Sequence, residues 1–166
     1  MFLCLIIIAG IVYLDQLTKW LSIVFLRGED SFPLIRNILN FTYVENKGAA
    51  FGMLSEHRWL CMISSSVAIV GILVYIYIKK PKNLLLRTSL SMIIGGGIGN
   101  MIDRLFLGYV VDFIEFAFVD FAVFNIADSF VTIGTGLLML YIIISTVKDY
   151  KGADKSEKGN FVSGAQ

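Results

Sequence analysis

Residues 95–132, GGGIGNMIDRLFLGYVVDFIEFAFVDFAVFNIADSFVT, decide the fold of this chain. They place two polar clusters and a strand-like loop between two apolar runs of membrane-spanning length. A charge next to hydrocarbon is costly unless it is solvated, paired or protonated, so aspartates in such a place suggest a function. Asp112 lies within the loop, and Asp128 lies about one turn inside the second apolar run. We predict that these two carboxylates meet.

The composition is that of a membrane protein. The chain has 166 residues, 57% of them hydrophobic, and a mean hydropathy of +0.76. A spanning helix needs about 20 mostly apolar residues, and four windows satisfy this: about residues 2–26, 59–78, 84–104 and 124–147. The chain is too short for more than one compact unit, so residues 1–150 are predicted to form a single domain.

Basic residues predict the orientation in the membrane. Residues 79–87 and 148–158 each contain four lysines or arginines, and short basic segments stay in the cytoplasm. Both termini are therefore expected in the cytoplasm, with residues 28–58 and 105–123 outside. Residues 151–166 read as a disordered cytoplasmic tail. The net charge of only +1 gives nucleic-acid binding no electrostatic support.

The two external segments predict a small β-rich flap at the outer membrane interface. Residues 40–44 alternate as a strand does, and the aromatic loop after residue 105 resembles a strand hairpin at headgroup level. The turn sequence ENKGAAFG contains Asn46 and Gly48. Two interpretations stay open for these residues: a tight turn capped by Asn46, or a close approach by a substrate backbone.

Two of the predicted helices contain unusual polar or small residues. Asp15 and Lys19 are spaced i,i+4, either as an internal ion pair with Lys19 reaching outward or as part of a site. Gly95 and Gly99 have the GxxxG spacing that lets another helix pack closely. GGGIGN is not a dinucleotide-binding loop, because no strand precedes it.

A further polar group surrounds the two central aspartates. Asn100, Asp103 and Arg104 share a face at the outer end of the third helix, and Asn125 lies three residues before Asp128. A buried amide must find hydrogen-bond partners, so the asparagines are candidates to orient carboxylates or substrate carbonyls. Arg104 and Asp103 are alternatively interface anchors.

Two carboxylates close together in a poorly solvated place cannot both ionise, so Asp112 and Asp128 are expected to share one proton. Such a pair is an acid and a base together, which allows amide hydrolysis without a metal or a covalent intermediate. Taken singly, Asp128 is also explained as a helix N-terminal acid and Asp112 as a solvated loop residue. Glu115 and Asp120 are possible substitutes in the same loop.

Other catalysts find little support. His57 is the single histidine, so multi-histidine metal sites and HExxH chemistry are excluded, and there is no GxSxG. His57 and Cys61 have the i,i+4 spacing of a thiol peptidase, but no nearby residue orients the imidazole. The main alternative is a proton- or ion-coupled transporter, although the polar residues crowd one face without an internal repeat. A non-catalytic membrane scaffold is a further alternative.

Four motifs occur in one order along the chain: DQLTK at residues 15–19, ENKGAAF at 45–51, GNMIDRLFLGYVVDFI at 99–114 and FNIADS at 124–129. Together they resemble the bacterial lipoprotein signal peptidase (signal peptidase II) family. The resemblance covers nearly all of the chain before the tail.

The resemblance implies a four-helix aspartic endopeptidase of the bacterial inner membrane, with a β-cradle, that cuts a prolipoprotein before its diacylglyceryl-modified cysteine. Asp112 and Asp128 would be its catalytic dyad. It implies membrane lipid as a partner, inhibition by globomycin-type cyclic peptides, a monomer, and neither cofactor nor metal. The residues implied to bind substrate or support the site are Asn46, Gly48, Asn100, Asp103, Arg104, Asn125, Asp15 and Lys19.

Overall fold

The structure is a computed structural model that describes residues 2–48 and 58–163, with side chains up to residue 150. Two strands follow the first helix, and a third strand lies between the third and fourth helices. The elements are α1 (Phe2–Leu26), β1 (Phe32–Ile35), β2 (Leu39–Asn46), α2 (Arg58–Lys79), α3 (Leu84–Phe106), β3 (Val110–Phe116) and α4 (Ile126–Ser163).

Helix α3 lies at the centre, and its glycines let three other helices approach it. A Cβ added at Gly95 would lie 3.0 Å from Ile11 of α1, and one at Gly97 would lie 3.1 Å from Ile69 of α2. At Gly96 the added atom would collide with the backbone carbonyl of Ala127 in α4. The predicted close packing at the small residues is therefore confirmed, and α1 is the helix that packs on Gly95.

Three helices within the described residues are long and apolar enough to cross a membrane: Phe2–Leu26, Trp59–Lys79 and Ile126–Tyr150. The prediction of four spans is confirmed for these three and not for α3. The helix itself is present, slightly longer than the predicted 84–104. Its composition is too polar for it to count as a membrane span, because glycine, serine, asparagine and aspartate occupy the face that it turns toward its neighbours.

The backbone of α4 remains helical beyond the span, to Ser163. This covers part of the segment 151–166 for which the sequence predicts disorder, and residues 164–166 lie outside the described part of the chain. The disorder of this tail and its side of the membrane remain predictions.

Both predicted external segments contribute to one antiparallel sheet with the strand order β1-β2-β3. The first segment supplies β1 and β2, and the second supplies β3. The interpretation of residues 105–123 as a hairpin is wrong, because β3 pairs along its length with β2. Residues 105–123 contain no second strand that could pair with β3. Phe124, just beyond this segment, forms only a single bridge to Ile114.

A β-bulge interrupts the pairing of β2 with β3. Phe41 pairs with Ile114 and Val44 pairs with Asp112, so two residues of β2 lie opposite Phe113 alone. Bulges increase the local twist and redirect side chains. This one is next to Asp112.

Candidate active site

The chain brings Asp112 and the start of α4 together through a short return from β3. The backbone N–H groups of Phe113 and Ile114 both donate to the carbonyl of Phe124, at 3.0 and 2.8 Å. The following residue, Asn125, therefore begins α4 beside the strand that carries Asp112. Asp128 follows one turn later.

Asn125 is fully buried and binds both aspartates. Its Nδ2 donates to Asp112 Oδ1 at 2.7 Å, and its backbone N–H donates to Asp128 Oδ2 at 3.3 Å. Its Oδ1 in turn accepts from the backbone N–H of Asp128 at 2.9 Å. This reciprocal pair is a capping box at the start of α4. One asparagine thus fixes the start of the helix and the separation of the two carboxyl groups.

Asp128 is half-buried and surrounded by donors. Besides the Asn125 backbone, Asn100 Nδ2 donates to Asp128 Oδ1 at 2.7 Å. The residue also lies in the first turn of α4, where the helix dipole favours negative charge. These contacts all stabilise an ionised carboxylate.

Asp112 is 1% exposed and accepts from two amides. Asn46 Nδ2 donates to Asp112 Oδ2 at 2.9 Å, and Asn125 Nδ2 donates to Asp112 Oδ1. Burial, together with the nearby charge of Asp128, raises the pKa of Asp112 to about 7 against the lowering by the two amides and by Lys19. This raised pKa makes Asp112 a candidate general acid near neutral pH.

Lys19 lies at the centre of a second group of acids beside the first. Its Nζ is 2.9 Å from Asp15 Oδ2, 3.0 Å from Asp103 Oδ2 and 2.9 Å from Asn100 Oδ1. The ammonium has three donors, and these three contacts account for them. With 2% of its surface exposed, Lys19 does not reach outward to the interface, so that part of the ion-pair interpretation is wrong.

The two acids that bind Lys19 also hold the ends of other elements. Asp15 Oδ1 accepts from the Ala127 backbone N–H at 2.9 Å, at the start of α4. Asp103 Oδ2 accepts from the Val111 backbone N–H at 3.0 Å, at the start of β3. The ion-paired group therefore positions both segments that carry Asp112 and Asp128.

Gln16 belongs to this network, although it was not predicted from the sequence as a site residue. Its Nε2 lies 2.9 Å from Asp103 Oδ1, 3.2 Å from the Gly99 carbonyl and 3.3 Å from Asp15 Oδ2. The signal was available: an uncharged amide next to Asp15 in an apolar helix needs partners.

The remaining predicted residues are on the periphery. Gly48 is buried and donates its backbone N–H to Asn46 Oδ1 at 3.0 Å, so the tight-turn interpretation of Asn46 holds while its Nδ2 binds Asp112. Arg104 is half-buried and donates to the Asn100 backbone carbonyl at 3.4 Å. Residues 49–57, including His57 and the end of the ENKGAAF motif, lie outside the described residues.

The other acids of the loop, Glu115 and Asp120, do not belong to the candidate site. Glu115 lies three residues after Asp112 on the same strand, so its side chain points to the other face. It accepts from Thr42 at 2.5 Å and from Asn40 at 3.2 Å, and the hydrogen bond from Thr42, followed by that from Asn40, lowers its pKa. Asp120 is exposed. Neither joins the pair formed by Asp112 and Asp128.

An apolar groove of about 230 Å³ lies between α1 and the sheet. Phe113, the neighbour of Asp112 on β3, forms one wall. The other lining residues are Thr18, Leu21, Ser22, Phe25, Leu26 and Phe41. The groove offers hydrocarbon a place beside the strand that carries Asp112. No group of three or more metal-ligating side chains occurs among residues 2–48 and 58–150.

Comparison with known proteins gives a consistent result. The family model for signal peptidase (SPase) II matches residues 7–144. The lipoprotein signal peptidase of Caldanaerobacter subterraneus subsp. tengcongensis is 48% identical over 142 residues, which cover 84% of this chain and 97% of that protein. The one from Brevibacillus brevis is 38% identical over 143 residues, 86% of this chain and 96% of the relative.

A solved structure described as "Bacterial membrane enzyme structure by the in meso method at 2.3 A resolution" superposes with a TM-score of 0.83 at 33% identity, over 88% of this chain and 90% of its own. The sequence and the fold therefore agree. This chain belongs to the signal peptidase II family, and it is a cell-membrane protease of lipoprotein signal-peptide processing.

Proposed function

We propose that this protein is an intramembrane aspartic endopeptidase that removes the signal peptide of prolipoproteins, cleaving the bond before the diacylglyceryl-modified cysteine. Asp112 and Asp128 activate the attacking water. One observation supports this above the others: the buried Asn125 donates hydrogen bonds to both carboxyl groups, 2.7 Å to Asp112 and 3.3 Å to Asp128.

The surroundings of the two carboxyl groups support a different role for each. Asp128 has three features that favour the ionised form, so it is the base that takes a proton from water. Asp112, whose pKa burial raises to about 7, is the acid that donates its proton to the scissile carbonyl oxygen. Water oxygen bonds to the carbonyl carbon, which gives a neutral tetrahedral intermediate. Asp128 then gives the proton it took from water to the leaving amine, and the C–N bond breaks. A hydroxyl of the intermediate returns its proton to Asp112 as the carbonyl of the product acid re-forms.

The supporting residues divide between the two carboxyl groups. Asn46 and Asn125 orient Asp112, while Asn100 and Asn125 orient Asp128. Asp15, Lys19 and Asp103 hold the elements on which the two carboxyl groups lie. Gly48 and Arg104 border the site on the sides where a substrate backbone approaches.

We place α3 across the membrane as the fourth span, in the bacterial cytoplasmic membrane. The helix connects the Lys79 end of α2 with β3, and its 23 residues extend about 34 Å at 1.5 Å per residue, as far as a bilayer core. Its polar face is turned inward against α1 and α4, so its polar residues need not face lipid. Both termini are then cytoplasmic, and the site faces outward.

The lipid requirement follows from the depth of the site. Acyl chains keep the scissile bond of a lipidated substrate at the membrane interface, and the groove walled by Phe41 and Phe113 accepts hydrocarbon between α1 and the sheet that carries Asp112. The protein acts as a monomer, and globomycin-type cyclic peptides compete with the substrate at the same place.

Purified protein in detergent micelles, given a peptide with a diacylglyceryl cysteine and its unlipidated twin, tests this function. Mass spectrometry of the products is expected to show one cleavage, immediately before the lipidated cysteine, and none in the unlipidated peptide. Cleavage elsewhere, or equal cleavage of both peptides, would contradict the proposal. Proton flux through reconstituted vesicles without cleavage would identify a transporter instead.

A further inference from the structure

Asn100 connects the two groups of acids. Its Oδ1 accepts from Lys19 Nζ at 2.9 Å and from Asn125 Nδ2 at 3.0 Å, and its Nδ2 donates to Asp128 Oδ1 at 2.7 Å. The residue is 8% exposed. All three contacts are made by one planar amide.

A side-chain amide has nearly the same shape when it is rotated by half a turn, so its neighbours decide its orientation. The ammonium of Lys19 has donors and no acceptor. A rotated Asn100 would direct its NH₂ at Lys19 and at the NH₂ of Asn125, and its carbonyl oxygen at the Asp128 carboxylate. All three contacts would become repulsive.

We infer that Lys19 is a positioning residue of the reaction: by holding Asn100 Oδ1, it fixes an N–H donor on Asp128. The ion pairs and hydrogen bond of Lys19 are with Asp15, Asp103 and Asn100, and not with either carboxyl group of the dyad. It acts through the amide. This role deepens the proposed function and rests on it.

Two acids in turn hold Lys19 in place. Asp15 lies one turn before it on α1, and Asp103 faces it from α3, each within 3.0 Å of Nζ. Because these two carboxylates and Asn100 Oδ1 bind its three donors, the ammonium has a fixed position and Asn100 has one orientation. Its charge also lowers the pKa of Asp112, against the larger effect of burial.

Charged and polar groups from every element packed around the site contribute to its electrostatics. These groups are Lys19 and Asp15 from α1, Asn46 from β2, Asn100, Asp103 and Arg104 from α3, Asp112 from β3, and Asn125 and Asp128 from the start of α4. The other cation of this set, Arg104, is half-buried and bonded to a backbone carbonyl. The effect of a change at Lys19 on the pKa of Asp112 therefore has a predictable sign.

A double-mutant cycle on kcat/KM for the lipidated peptide tests the inference. Lys19→Met and Asn100→Leu are each expected to lower kcat/KM about 100-fold, the usual effect of losing one preorganised donor. If Lys19 acts through Asn100, the double variant also loses about 100-fold, whereas independent effects multiply to about 10⁴-fold. Multiplied losses would overturn the inference. Lys82→Met, an exposed lysine before α3, is the control and keeps wild-type kcat/KM.

Asn100→Asp decides the matter if Lys19→Met fails to fold. This variant keeps an acceptor for Lys19 and replaces the N–H that faces Asp128 with an oxygen. We expect a similar loss of kcat/KM and an acid limb of the pH profile shifted upward by about one pH unit, the equivalent of one charge-assisted hydrogen bond. A merely structural role leaves that limb unmoved.

The outcomes separate this inference from the proposed function. Wild-type kcat/KM and an unmoved acid limb in Asn100→Asp, with Asp112→Asn and Asp128→Asn inactive, would overturn the role of Lys19 and keep the dyad. Activity of either aspartate variant at the wild-type level would overturn the dyad itself.

Discussion

Two pairs of acids lie side by side in this molecule, and they are compensated differently. Asp15 and Asp103, the ion-paired acids, share the ammonium of Lys19 at 2.9 and 3.0 Å. Asp112 and Asp128, the proposed dyad, share the uncharged Asn125. Each pair is held by one central residue, Lys19 in the first and Asn125 in the second. Only Lys19 carries a charge.

This difference separates a structural role from a chemical one. A buried cation between two carboxylates offsets their mutual repulsion, and their other lone pairs accept from backbone N–H groups at the starts of α4 and β3. Neutral amides offer donors without offsetting the repulsion, which favours a shared proton in the proposed dyad. The ion-paired acids therefore hold the fold, and the dyad performs the proposed proton transfers.

The largest expected effect is on cleavage. Asp112→Asn and Asp128→Asn each remove an acid or base that acts in every turnover, so each is expected to lower kcat about 10⁴-fold. The melting temperature in micelles should fall only modestly, because each side chain keeps its shape while one acceptor oxygen becomes an NH₂ group that faces an N–H donor. Single-turnover cleavage of the lipidated peptide measures the loss. Normal turnover with either variant would refute the comparison.

The ion-paired acids should show the opposite behaviour. Asp103→Ala leaves Lys19 with one fewer carboxylate and removes the partner of the Val111 N–H, which is expected to lower the free energy of unfolding by about 3–5 kcal/mol. Denaturation in mixed micelles measures it. Glu29→Ala, which alters an exposed acid near the end of α1, is the control. Equal stability of the two variants would remove the structural role of Asp103.

The pH dependence of stability distinguishes the pairs next. Burial raises the folded-state pKa of Asp112 to about 7, above the unfolded value of about 3.9. The folded protein therefore binds more protons, and stability falls as pH rises from about 4 through about 7, by about 1 kcal/mol per pH unit. Asp112→Asn should flatten this slope, as measured by unfolding between pH 5 and pH 8. An unchanged slope would show that Asp112 titrates normally.

The smallest expected effect is steric. An added Cβ at Gly99 would lie 2.5 Å from Asp15 Oδ2, so Gly99→Ala must displace the acid that binds Lys19. We expect a loss of about 1–3 kcal/mol in the free energy of unfolding. Gly136→Ala in α4 is the matched control, since nothing lies within 4 Å of its added Cβ. A loss no larger than in that control would show that Asp15 has room to move.

Much of the fold was predictable because its signals are local. Apolar runs of spanning length identified the helices, and alternation identified β2. The pairing of β3 with β2 was missed, because strand pairing joins residues far apart in sequence. The span predicted for α3 is not confirmed by its composition, because its glycines and polar residues are compatible with a span only when neighbouring helices cover them.

The candidate site, too, was predictable only where its signals are local. Asp112, Asp128 and the asparagines were found from their residue types, since a polar side chain in an apolar run needs a reason. Gln16 was overlooked, and Lys19 was given the wrong direction. A lysine near the end of a helix reaches either outward to water or inward to acids, and the choice depends on Asp103 from another helix.

The sequence by itself determined the membrane setting, the positions of the helices and the supply of acids and amides, because these depend on the chemistry of short segments. Only the tertiary structure decided which acids received a cation and which received amides. That division depends on distances of about 3 Å between residues of α1, α3, β3 and α4, and such distances arise only when helices and strands pack together.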